Sequence, residues 1–119
     1  MDPLPILESL VAVNSINPSL VPGAPGEGAA GEVAGVAMKK AGLDVVFQEA
    51  APGRRNVIGV LDGVEKGPAV MFCGHIDTVG VDGMRDPFVP RVDGGRMYGR
   101  RAQDMKGGVA AMIAPPGGL

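Results

Sequence analysis

Ala69-Val70-Met71-Phe72-Cys73 is apolar at every position. A strand with one wet face alternates polar and apolar side chains. A run with no polar face is the pattern of a strand buried inside a layered sheet. The flanking sequence supplies the layers. Leu4, Leu7, Leu10 and Val11 share one helical face across residues 4–13. That helix should stop before Asn14-Ser15-Ile16-Asn17-Pro18, because Asn17 precedes a proline and is pushed out of the α region. Residues 18–28, rich in Pro and Gly, read as a loop. A second helix is expected over residues 28–41, with Val33, Val36, Ala37 and Lys40 on one stripe and Gly42 as its stop. Residues 43–48 and 56–61 read as strands. Residues 88–92 and 96–98 flank Asp93-Gly94-Gly95 and suggest a hairpin. Residues 103–114 form a final helix, which Pro115-Pro116-Gly117-Gly118 cannot continue. The order predicts an α/β fold: a layered, mixed sheet with flanking helices.

Such a core must be built from Val, Ala, Ile, Leu and the seven Met, because only 3% of residues are aromatic and there is no Trp. The 119 residues suit one domain or part of one. A net charge of −2 without any basic block argues against nucleic acid as a partner. One cysteine cannot close an internal disulfide, which suits a reducing, cytoplasmic setting. The first residues carry no Lys or Arg ahead of an apolar stretch, so no secretory signal is expected. The longest apolar run, Val109 to Ala114, is far short of the roughly 20 residues a membrane helix needs.

The only histidine, His75, directly follows the apolar run and Gly74. In α/β sheets ligands gather beyond the carboxyl ends of strands. Asp77, two residues on, lies on the same side of an extended chain, within reach of the imidazole. It can accept one ring N–H and leave the other nitrogen free for a metal. The competing view makes His75 a hydrogen-bonded structural histidine and Asp77 a turn residue. Cys73 shares the parity of His75, but an unactivated thiol in an apolar strand reads as core. Asp104, near the start of the last helix, can be a simple cap for the unpaired N–H groups there. Gly107 and Gly108 weaken that helix by about 1 kcal/mol each relative to Ala, so they point to close backbone packing or unusual geometry.

Two segments, Gly74-His75-Ile76-Asp77-Thr78-Val79 and Gly99-Arg100-Arg101-Ala102-Gln103-Asp104-Met105-Lys106-Gly107-Gly108, together resemble the signature of the dinuclear zinc amidohydrolase and exopeptidase family. That family includes acetylornithine deacetylase, succinyl-diaminopimelate desuccinylase, aminoacylase and glutamate carboxypeptidase. Leu10 to Ser19 is similar to the family's opening helix and loop. The resemblance implies that His75 binds one metal ion, that Asp77 belongs to the catalytic apparatus by orienting His75, and that Asp104 bridges two metals. It also implies a cis peptide at Asp104-Met105. The cofactor implied is two zinc ions, with cobalt or manganese as alternatives. The reaction implied is hydrolysis of an amide bond in an N-acyl amino acid or small peptide by metal-activated water. Full-length relatives are expected to be homodimers.

The sequence departs from the family pattern at Arg101, where the motif has glycine. The family's adjacent Glu pair and late histidine are also missing: the five Glu are nowhere adjacent and there is no second His. Residues 1–119 therefore read as the N-terminal portion of a metallohydrolase catalytic domain, without its lid or dimerisation domain and its C-terminal catalytic half. Alone, such a chain is expected to be inactive and to expose a sheet edge. The alternative is a non-catalytic module that binds a separately encoded remainder. A nucleotide-binding domain and a serine hydrolase are disfavoured, because no Walker-type loop, dinucleotide fingerprint or Gly-x-Ser-x-Gly elbow is present.

Overall fold

A computed structural model describes residues 1–114, and the Pro-Pro-Gly-Gly stop lies outside them. The elements are α1 (Leu4–Val11), α2 (Gly28–Lys40), β1 (Asp44–Ala51), β2 (Arg54–Val60), β3 (Arg91–Asp93), β4 (Arg96–Tyr98), a π-helical turn (Ala102–Gly107) and α3 (Gly108–Ile113). The α/β class stands. Its strands make two antiparallel ribbons, β1–β2 and β3–β4, and the only parallel pairing among the described residues is an isolated bridge, Ile16 to Thr78. No helix among these residues is long and apolar enough to cross a membrane.

The core lies where the three helices meet. Leu10 of α1, Ala34 of α2 and Val109, Ala110 and Ile113 of α3 are buried together with Ala41. Leu7 packs against this cluster, while Leu4 at the end of the same face stays exposed. Helix α2 is rotated from the expected stripe: Val33 and Ala37 still pack against the core, but the most buried side is another. Its buried residues are Ala30, Gly31, Ala34 and Gly35, and Val36 is exposed. The reason is closeness on two sides. A Cβ on Gly35 would sit 2.9 Å from the Phe47 ring, and one on Gly31 would sit 3.1 Å from Val57. The β1–β2 hairpin lies so near α2 that only small residues fit between them, while Val33 packs at the edge of the core and Val36 is left exposed.

Local signals behave as their chemistry dictates at two turns. Gly42 has φ +92°, its N–H donates to the Lys39 carbonyl and the Leu43 N–H donates to Met38. These are the paired bonds of a left-handed helix stop. Gly94 and Gly95 both have positive φ, and Asp93 pairs with Arg96, giving the two-residue hairpin turn whose twist suits the strands.

The expected strand at Ala69–Cys73 is not formed. Residues 66–77 form no regular element and no ladder pairing, and Val70, Met71 and Phe72 are 81%, 84% and 66% exposed. A strand needs a neighbour, and β1–β2 and β3–β4 pair only with each other. Cys73, expected in the core, is exposed for the same reason.

Candidate metal centre

This unpaired segment ends against the last helix. Gly74 lies so close to Met105, Met112 and Val109 that an added Cβ would come within 2.9 Å of the Met105 methyl. That approach carries His75 to the turn bearing Asp104, and the His75 N–H donates to the Met105 sulfur at 3.4 Å. At the next residues the chain is pinned to the N-terminal loop. The Thr78 N–H donates to the Ser15 carbonyl (2.9 Å), and the Asn17 N–H donates to the Thr78 carbonyl (2.8 Å).

The three residues singled out by sequence are brought together. His75 Nδ1 lies 3.1 Å from Asp77 Oδ1, and its Nε2 lies 3.5 Å from Asp104 Oδ1. The imidazole thus spans two carboxylates, one on each nitrogen. With Asp77 accepting Nδ1–H, Nε2 presents a lone pair toward an oxygen that also carries lone pairs. A cation between them joins what would otherwise repel. The spacing fits one ion: two ligands each about 2.0–2.1 Å from a tetrahedral ion lie about 3.4 Å apart. The His75 side chain is 46% exposed, so it is not a histidine satisfied in a core.

Asp104 is not a helix cap. It sits at φ −119°, ψ 98° inside the π-helical turn, with no side-chain capping bond. The Asp104-Met105 peptide is cis, as the family resemblance implied. The carboxylate is divided: Oδ1 faces His75, while Oδ2 accepts from Arg101 Nη1. The residues present offer one place for an ion, between His75 Nε2 and Asp104 Oδ1, while Asp104 Oδ2 is held by Arg101. Among the described residues no group of three or more His, Cys, Asp or Glu side chains converges on one point.

Two contributors escaped the sequence reading. From its place before Pro18, Asn17 reads as part of a helix stop, yet its amide donates to Asp77 Oδ2 at 2.8 Å. Burial pushes the Asp77 carboxyl up, but the Asn17 amide and the facing imidazole outweigh it and hold the carboxyl below its ordinary value. The Asn-Pro beside the opening helix was the available signal. Lys106 is the second. It is completely buried, and its ammonium donates to the Leu10 carbonyl at 2.7 Å and the Val13 carbonyl at 3.2 Å. These carbonyls lie at the C-terminal end of α1, where acceptors lack helical partners. Lys106 thereby fastens the Asp104 turn to the first helix.

Asn17→Leu is expected to raise the Asp77 titration and to destabilise the chain by about 1 kcal/mol at pH 7. A depressed carboxyl contributes stability above its unfolded pKa, and that contribution is lost as pH falls through the folded value. The variant should therefore lose less on acidification than the parent. NMR titration of Asp77 alongside urea unfolding at pH 7 and pH 3 measures both; an unmoved Asp77 titration refutes the role given to Asn17.

Residues 71–114 match the Peptidase family M20/M25/M40. The chain is 34% identical over 96% of its length to a succinyl-diaminopimelate desuccinylase of Wolbachia pipientis subsp. Culex pipiens, covering 27% of that protein. It is also 34% identical over 96% of its length to the enzyme of the same name from Rhizorhabdus wittichii, covering 29% of it. Over a shorter stretch, 42% of this chain, identity to the Methylobacterium radiotolerans protein of that name reaches 51%. The match and the relatives are consistent with a fragment of a protein of this peptidase family. Its resemblance is to metal-dependent amidohydrolases. It spans a little over a quarter of the length of the curated relatives it matches.

Proposed function

We propose that this chain supplies part of the metal-binding face of an amide hydrolase acting on N-acyl amino acids, with N-succinyl amino acids as the favoured class. The reading rests on one observation above all: a single imidazole held between Asp77 and Asp104, with Nε2 and Oδ1 spaced for a shared ion. His75 and Asp104 would hold a divalent ion, zinc by preference. When bound there, such an ion supplies Lewis acidity that acidifies water and polarises an amide carbonyl. Asp77 keeps the Nδ1 proton in place, fixes the ring plane and makes Nε2 a better donor. Asn17 and the Ile16–Thr78 bridge hold Asp77 in register.

The succinyl preference follows from the relatives' names and from charge beside the site. A groove next to Ala102 and Gln103 is walled in part by Arg85, Arg91, Arg96 and Asp86. Arg85 and Arg91 already face Asp86 and Asp93, so Arg96 is the guanidinium left to suit an acyl chain that ends in a carboxylate.

Two protein ligands are fewer than a closed zinc site uses, so the 119-residue chain alone should bind metal weakly and turn over no substrate. Cobalt(II) titration followed by its visible spectrum tests the site: His75→Ala should weaken binding at least tenfold. Equal affinity in parent and variant removes the metal-site reading. Hydrolysis of N-succinyl or N-acetyl amino acids by the isolated chain, above the rate of a His75→Ala control, would overturn its inactivity.

A further inference from the structure

Arg101 is one of two non-glycine residues with positive φ among those described, at φ 61° and ψ 21°. Glycine occupies the left-handed region without steric cost, and a long side chain does not. The family motif has glycine at this point, yet here a guanidinium is folded inward. The Arg101 side chain is only 21% exposed, its Nε is buried without a partner, and its Nη1 donates to Asp104 Oδ2. Arginine keeps its charge at any accessible pH, so this is a fixed cation on the very oxygen that a bridging carboxylate would turn to a second metal.

We propose that Arg101 takes the place of a second metal ion: the site accepts one divalent cation, between His75 Nε2 and Asp104 Oδ1, and the guanidinium excludes another while weakening the first. The inference rests on the metal-site reading above. A second ion at Asp104 would have to displace a charge-assisted hydrogen bond and then sit beside the displaced guanidinium. The ion at Oδ1 also meets a carboxylate whose charge is already partly neutralised, and it is repelled by a neighbouring positive charge. The arginine is thus an internal competitor for Asp104.

The test is metal affinity and stoichiometry by equilibrium dialysis with zinc or cobalt(II), on the 119-residue chain and on Arg101→Gly, Arg101→Lys and His75→Ala. Arg101→Gly suits the backbone, so it should be at least as stable as the parent, checked by circular dichroism. The expected result is no more than one ion per parent chain, at least tenfold tighter binding in Arg101→Gly, and near-parent affinity in Arg101→Lys, which keeps the charge. Two ions on the parent, or an Arg101→Gly affinity equal to or weaker than the parent's, overturns the proposal. If His75→Ala abolishes binding while Arg101→Gly changes nothing, the metal site survives and only the role of Arg101 falls. If His75→Ala leaves binding unchanged, the metal site itself is wrong and this inference falls with it.

Discussion

Lys106→Ala is expected to lower the unfolding free energy of the chain by about 3 kcal/mol at pH 7. Three effects set the figure. Removing a fully buried stem forfeits about 0.8 kcal/mol per methylene and leaves a void. The Leu10 and Val13 carbonyls lose their donor, at about 1–3 kcal/mol for each that stays dry. Against these stands relief of the buried charge, since burial pushes the ammonium down from 10.5 to about 8, a penalty of about 3 kcal/mol. The first two together exceed the third. Lys106→Met keeps the stem and should lose less than Lys106→Ala.

The pH dependence identifies the cause. Below pH 8 folded and unfolded chains both carry the Lys106 proton, and nothing changes with pH. Between about 8 and 10.5 the unfolded chain keeps a proton that the folded chain has shed. The unfolded state then binds more protons, and stability rises with pH. The gap between parent and Lys106→Ala should therefore widen from pH 7 to pH 9.5 in urea unfolding. A gap that narrows would show that the ammonium is favoured by its site and that burial does not dominate.

Gly107→Ala is expected to destabilise by about 2 kcal/mol, against the sign of helix propensity. Alanine in a helix interior normally gains about 1 kcal/mol over glycine. Here the new Cβ would stand 2.5 Å from the Ala102 carbonyl oxygen. That neighbour is backbone, so no rotamer change removes the overlap, and the turn that positions Asp104 must open. Gly108 provides the control. Its Cβ would meet only the flexible Met105 methyl, at 3.4 Å, so Gly108→Ala should be neutral or slightly stabilising. Equal effects of the two substitutions would mean that propensity, and not the close carbonyl, governs the turn.

Where a signal and its cause sit within a few residues, it could be read from the sequence. The Gly42 stop and the Asp93-Gly94-Gly95 turn are of this kind, each set by a glycine that alone takes the needed φ easily. The meeting of His75 with Asp104 was legible too, though through two motifs read together and not through either alone. Lys106 was not. Its acceptors lie 96 and 93 positions away, so nothing local distinguishes it from a solvated lysine. The inward face of α2 is legible only in part: Val33 and Ala37 pack against the core, but periodicity ranks Val above Gly, while close approach to Phe47 and Val57 puts Gly31 and Gly35 deeper. Ala69–Cys73 has the composition of an interior strand, but composition cannot provide the neighbour that makes a ladder.

The unpaired path that carries His75 has a bearing on how an ion would be received. The ligand hangs from backbone held on one side by a thioether and on the other by the isolated bridge at Thr78. Capturing a cation between His75 and Asp104 would tether that ribbon to the last helix. Occupancy and local ordering would then be a single event, read out as slowed amide exchange from Met71 to Ile76 in step with saturation. Some of the ion's affinity would be consumed in immobilising the chain, and any neighbour that paired with the ribbon beforehand would return that share to the metal.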